Sequence, residues 1–288
     1  MADVKSLECK NCGARLQFNP SQVSMTCAFC ASEYFMEIPE SEEQRKEKEN
    51  AELVLFKVDK EQGKKIFSEW IKKGLFKPND LVSSFKHKEF DGAYIPFYRV
   101  NSDAVTQWNG RDKFEVKSAE GDKPAVYEYK DRSGNRSDSY KDFISVTHGL
   151  DQDEVDQILP FDDNETKPFD QQLMMGYKFE NPGVTKDNAE ETARERVKNW
   201  ERDACSSLCD ELGSTSTTIS NLRSKLMMLP IWILVYLYKN KPFRVLINGQ
   251  TGKISGKKPI SGIKVLIFIL IILAVIAGVV VIAKFAGK

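Results

Sequence analysis

Cys9-Lys-Asn-Cys12 and Cys27-Ala-Phe-Cys30 are the residues of this chain whose types and spacing most clearly specify chemistry. Two CxxC turns supply four thiolates, and zinc prefers four soft ligands in a tetrahedron. The separation between the pairs is slightly under the ~15–20 residues usual for such sites, which a hairpin connection tolerates. Gly13 follows the first pair, where a tight turn around a metal needs an unhindered backbone. A redox CxxC or plain buried cysteines are the competing readings; two matched pairs in so short a segment favour metal. A catalytic zinc keeps a coordination position open. Sulfur can fill all four positions here, and the two histidines, His87 and His148, lie far away in sequence. The expected cofactor is therefore a structural Zn2+ held by Cys9, Cys12, Cys27 and Cys30.

Other chemistry is harder to find. Gly252-Lys-Ile-Ser-Gly256-Lys257-Lys258 has three residues between its glycines, not the four of a phosphate loop, and no Ser or Thr after the lysine. Neither GxSxG nor HExxH occurs. Asp162, Asp163 and Glu165 do not match a calcium-loop spacing and read as a solvated acidic loop. Cys205 and Cys209 are four apart on an expected helix and share a face, which suits packing better than metal or redox work. The expectation is a protein without catalytic function.

The elements that must carry these residues divide the chain into segments. Residues 1–38 hold the zinc ribbon. Residues 39–52, PESEEQRKEKENAE, are almost wholly polar and read as a charged linker. Residues 53–262 form a mixed α+β body with antiparallel strands, 263–285 a transmembrane helix, and 286–288 a short tail. Within the body, Asp59 and Gln62 make a capping box for a helix with Ile66, Phe67, Trp70 and Ile71 on its apolar face, stopped at Gly74. A second helix is expected over 188–212, with Ala189, Ala193, Val197, Trp200, Ala204 and Leu208 as its stripe. Residues 93–100 predict a strand, with Pro96 at an edge or bulge because proline cannot donate to a ladder. Weaker strands are expected at 125–130 and 141–147. The run 226–238 is too short to span a bilayer, is interrupted by Pro230 and is rich in strand formers, so it predicts a buried central strand. Residues 243–247 then turn through Asn248-Gly249 and Thr251-Gly252 into a hairpin.

Residues 265–283 are uninterrupted apolar sequence, VLIFILIILAVIAGVVVIA. At about 1.5 Å per residue they would extend roughly 28 Å, close to the ~30 Å hydrocarbon core. Lys253, Lys257, Lys258 and Lys264 precede the run, against Lys284 and Lys288 after it. That bias favours the body on the cytoplasmic side of a single-pass, tail-anchored protein, as do reduced thiolates. No secretory leader is expected from MADVKSLECK.

The formal net charge is zero, so no general attraction to polyanions is expected. Within the first 34 residues Lys5, Lys10 and Arg15 balance Asp3, Glu8 and Glu33, which argues against nucleic acid as a partner. Phe18, Phe29, Tyr34 and Phe35 read as the ribbon's small core. The paired CxxC motifs, Gly92-Ala-Tyr-Ile-Pro-Phe-Tyr98, Leu229-Pro-Ile-Trp232 with Tyr236 and Tyr238, and Asn248-Gly-Gln-Thr-Gly252 with Gly256 and Pro259 occur in that order ahead of the apolar run. In this the chain resembles bacterial zinc-ribbon proteins with a C-terminal transmembrane helix, whose function is largely uncharacterised. Phe243 stands where similar proteins tend to carry Tyr. The resemblance implies zinc ligation at the four cysteines, and an association with phage-shock-type membrane-stress systems seen for some such proteins. The expected function is a membrane-anchored adaptor or scaffold for other proteins, attached to the bilayer by its C-terminal helix. The alternative is a membrane-tethered nucleic-acid-binding ribbon.

Overall fold

The computed structural model describes residues 5–8, 15–18, 24–26, 33–35, 46–47 and 50–286, apart from 85, 118–123, 148 and 181. The body is mixed α+β, with a mostly antiparallel sheet and one long apolar helix at the C-terminus. Ahead of it, β1 (Lys5–Glu8) pairs antiparallel with β2 (Arg15–Phe18), and β3 (Ser24–Thr26) with β4 (Glu33–Phe35).

The sheet is organised around β10 (Glu211–Tyr238), whose 226–232 stretch is wholly buried, as its apolar composition predicts. Along one edge β10 pairs with β6 (Lys86–Lys117). Along the other it pairs with β11 (Lys241–Asn248) and, in parallel, with β5 (Glu52–Val54). β12 (Ile254–Gly256) extends β11, and β8 (Thr166–Pro168) extends β5. The outer edge of β6 carries β7 (Val126–Ser145) and a short parallel strand, β9 (Lys178–Phe179). Pro96 lies between them. β7 pairing stops at Phe97 and β9 pairing at Tyr94. Its missing N–H therefore faces a gap in the ladder.

Alternation along β10 builds two cores. Met227, Leu229 and Ile231 face Ile158, Phe161, Phe143 and Phe97. Trp232, Leu234, Tyr236 and Tyr238 face α1 (Lys60–Lys72) through Phe67 and Ile71, with Leu81 of the short α2 (Leu81–Ser84). The short α3 (Gln152–Asp156) adds Val155 to the first core. Burying Phe67 and Ile71 contributes about 1.5–3 kcal/mol each. α1 starts where the sequence places it: Asp59 accepts from Gln62 N at 2.8 Å and Gln62 Oε1 accepts from Asp59 N at 3.0 Å. Gly74, at φ +117°, turns the chain away at its end.

The β10–β11 turn uses Lys239 and Asn240, both at positive φ, a type I′ hairpin the sequence reading passes over. Asn248-Gly-Gln-Thr-Gly252 is a structural clasp. Buried Asn248 donates to Ile158 O and Pro160 O and accepts from Gln250 N and Thr251 N. Gln250 exchanges two bonds with the Asp162 backbone. Gly252 takes φ +77°, whereas Gly249 is needed for space: a Cβ there would lie 2.5 Å from the Phe56 ring. The region 252–258 is thus turn and edge strand, with none of the strand-to-helix context of a phosphate loop.

Burial also holds tyrosine protons. The Tyr94 and Tyr236 hydroxyls are pushed from near 10 up to about 12, chiefly by desolvation. The stability this provides is fully present below pH 10 and is lost as pH rises from 10 through about 12, where the unfolded chain ionises first. The near-UV circular dichroism signal should therefore collapse within that window. A tertiary signal that persisted beyond it would show these hydroxyls to be in contact with water.

Candidate functional site

Most of the sheet serves the two cores, but β6, β7 and β10 run past them. At about 3.3 Å per residue, the 32 residues of β6 extend on the order of 100 Å, far beyond one core. Their outer parts form a three-stranded arm with β6 in the middle: Asn101 to Arg111 pair with Lys141 to Asp131 in unbroken register, and with Arg223 to Glu211 through two register shifts on β10.

One face of this arm is covered by α4 (Lys186–Ser206), capped by Thr185. Ala189, Ala193, Val197, Glu201 and Cys205 point into it, every fourth residue and mostly small, so the helix sits close. The helix ends six residues before the expected 212, and its buried stripe passes through Glu201 and Cys205, leaving Leu208 exposed. Val100, Ala104, Thr106 and Trp108 meet it from β6. Fully buried Glu201 accepts from the Tyr140 hydroxyl at 2.6 Å and faces Arg136 Nε at 3.1 Å. The latter is a charge contact without hydrogen-bond alignment, since Arg136 Nε donates to Asp138 at 2.7 Å. Burial and the Glu201 carboxylate push Tyr140 up to about 12. Arg196 pins the helix to Asp142 of β7 at 2.7 Å and to Asp156 at 3.0 Å. Cys205 is a buried free thiol, raised by desolvation; Cys209 lies over Gly110, where a Cβ would meet its Sγ at 2.4 Å. Cys205 packs within the buried stripe, whereas Cys209 lies past the helix end at Ser206, so the two do not share the helical face that their spacing predicts.

The opposite face is open. Asn101, Asp103, Val105, Gln107, Asn109 and Arg111 point there from β6. Ser133, Asn135, Ser137 and Ser139 join them from β7, and Ser214, Ser216 and Thr218 from β10. Toward the tip the same face ends in Tyr129 under Arg111, 4.5 Å from cation to ring, and Tyr127 under Lys113 at 3.8 Å. Two shallow grooves lie along it. That at the root is about 740 Å³, lined by Arg99, Lys141, Arg223, Asp103 and Asp163 among others; the second, of about 360 Å³, lies at Gln107, Asn135 and Ser216. The acidic loop expected to be solvated contributes Asp163, whose side chain is 9% exposed between Arg99 at 2.9 Å and Lys141 at 2.7 Å. Burial would raise this carboxyl, but the hydrogen bonds from Lys141 and Arg99 outweigh it and hold it below the usual carboxylate range.

α5 (Gly262–Ala286) is long and apolar enough to cross a membrane, and none of its 262–279 window is buried against the body. Cys9, Cys12, Cys27 and Cys30 lie outside the described residues. In chain order, the first pair falls between β1 and β2 and the second between β3 and β4. Among the described residues no group of three or more His, Cys, Asp or Glu is placed to hold a metal.

Fold and surfaces together define a mixed α+β body with a three-stranded arm and a C-terminal apolar helix. Among known proteins, the uncharacterized protein YdjG of Bacillus subtilis strain 168 is 27% identical over 234 residues, a match covering 75% of this chain and 65% of that protein's length. No family model matches the chain, and no solved structure matches it.

Proposed function

We propose that this protein is a non-enzymatic adaptor, held at the cytoplasmic face of a membrane by α5 and binding other proteins through the open face of its arm. The observation that carries the reading is that face. It is a broad surface of Ser, Thr, Asn and Gln side chains with two tyrosines at its tip, and neither core requires it. Such side chains supply adaptable hydrogen bonds and rigid amphipathic contact area, the composition of binding paratopes. α4 on the back face braces the strands, so the surface is presented pre-formed.

In this reading Cys9, Cys12, Cys27 and Cys30 hold a structural Zn2+. The fit rests on the donor set and on the hairpin topology, which puts each CxxC in the connection between two paired strands. The metal would supply folding energy to the N-terminal module and no reaction step. The apolar exposed surface of α5 supports the anchor, and the lysine bias before it supports the cytoplasmic side. The favoured setting is membrane stress, where some proteins that this chain resembles accompany phage-shock-type components.

The test is crosslinked capture of partners from native membranes with nuclease treatment, using wild type and Val105→Glu/Ser137→Arg. Val105 and Ser137 are directly paired and exposed. Their opposite charges should leave the strands folded while disrupting the surface. Nuclease-resistant partners lost by about tenfold or more, at an unchanged melting temperature, are expected. Retention of all partners would remove the open face from the function, and nuclease-sensitive capture would replace the reading with nucleic-acid binding.

A further inference from the structure

The start of α5 is not a free tether. Ser261 N donates to Phe76 O at 2.7 Å, and the Phe76 ring packs edge-on against Phe268 at 5.2 Å between centroids. The Tyr236 hydroxyl donates to Lys257 O at 3.2 Å. Lys258 donates to the carbonyls of Trp70 and Lys73 at the end of α1 and lies over the Trp70 ring at 3.9 Å. The turn at residues 74–77 is therefore fixed beside the first turns of the apolar helix.

Position along that helix sets its depth. If hydrocarbon begins where the apolar run begins, at Val265, then Phe268 lies about 4.5 Å inside the boundary, and Phe76, packed on it, lies close to the same level. Two large apolar side chains here are exposed: Leu75 at 70% and Ile260 at 71%. Lys72, Lys73, Lys77, Lys257 and Lys264 flank them in sequence, with no acidic residue between 70 and 78 or between 254 and 288. Exposed apolar tips flanked by lysines suit the boundary between acyl chains and anionic headgroups. The crowding of positive charge is visible at Lys258: burial lowers its pKa first, and Lys77 and Lys73 lower it further.

We propose that the 74–77 turn and Ile260 form a second membrane contact, seating the body on the surface of an anionic bilayer beside α5. This rests on the reading of α5 as a membrane anchor. The contact would fix the body's orientation to the bilayer, so that the arm is presented at a set angle and does not swing on a single helix.

The test uses full-length protein reconstituted in nanodiscs of equal parts phosphatidylcholine and phosphatidylglycerol. A benzophenone amino acid is placed in turn at position 75, at 269 within α5, and at 105 on the arm, and lipid adducts are read by mass spectrometry after irradiation. Adducts at 75 comparable to those at 269, and about tenfold or more above those at 105, are expected. In discs of phosphatidylcholine alone the yield at 75 should fall about fivefold, the equivalent of roughly one lysine–headgroup attraction, with 269 unchanged. Adducts at 269 without any at 75 would overturn the second contact and leave the anchor standing, as would a protein–protein crosslink at 75 in place of lipid. Absence of adducts at 269 would overturn the anchor and this inference with it. A yield at 75 that ignores lipid charge would overturn the lysine contribution.

Discussion

Replacing Arg136 by methionine should destabilise the folded chain by about 3 kcal/mol, the lower end of the range for stranding one partner of a buried pair. The reason is Glu201. Its side chain has no exposed surface, and Arg136 is the cation facing it, at 3.1 Å. Without Arg136 the carboxylate would keep the Tyr140 hydroxyl, at 2.6 Å, but no positive charge to offset its desolvation. Arg136 itself keeps 26% of its side chain exposed, which screens the pair and places the loss at the lower end. Removing the whole set, as Arg136→Met/Glu201→Leu/Tyr140→Phe, should recover most of the loss, because neither a buried charge nor an orphaned hydroxyl would remain. Urea titration of the full chain in detergent would measure both variants. Trp200, stacked on Tyr140 at 5.6 Å, supplies a local fluorescence signal. An unchanged midpoint for Arg136→Met would mean that water reaches Glu201, and that α4 is not held to the arm by this pair. If the loss is as expected, partner capture should weaken in the same variant, because α4 braces the strands whose other face does the binding.

That cluster also shows where sequence reading succeeds and where it stops. Elements with an apolar pattern were legible: the Asp59 capping box and α1, the buried run in β10, and the β11–β12 hairpin at Asn248 to Gly252. In each, burial demands large side chains at a fixed period. The arm was legible only at 125–130, a weakly expected strand that falls on the start of β7 at Val126. Residues 101–117, 131–140 and 211–225 are strand, yet apart from Trp108 and Tyr140 their inward positions include Ser102, Ala104, Thr106, Gly110, Gly134 and Thr217, small because a close-lying helix covers them. Alternation of small polar with larger polar residues has almost no hydrophobic signal. Thr215, Thr217, Thr218 and Ile219 were the trace that could have been followed, as β-branched residues in a run otherwise free of helix formers. The α4 boundary slipped for a related reason. Leu208 and Leu212 continue the fourfold spacing, so the pattern runs on after the backbone has left the helix at Ser206. Nothing in the sequence marks Glu201 as buried, because a lone glutamate on a helix usually lies at the surface. Its partners Arg136 and Tyr140 come from more than sixty residues away, a separation no local pattern encodes. The open face was missed with the arm itself, since a binding surface of serines and asparagines is indistinguishable in sequence from a loop.

Converting Cys9 and Cys12 together to serine should remove zinc from the purified chain altogether, the second large effect expected. Serine keeps the size of cysteine but offers no thiolate, and two remaining sulfurs cannot complete a tetrahedron. On the proposal that this site is structural, metal binding contributes about 10–16 kcal/mol to small modules of this kind, far more than two four-residue and two three-residue strands could supply by their own burial. The N-terminal module should then become a site of rapid proteolysis in the variant, or in wild type after chelation. On the reading of the ribbon as a separate module, the body should keep its melting temperature. Metal content by mass spectrometry and limited proteolysis together decide between the possibilities. Zinc retained in the variant would overturn the four-thiolate site. A body that melted earlier after chelation would mean that the ribbon packs on it, and the module would then be part of the same cooperative unit that α4, Arg136 and Glu201 hold together.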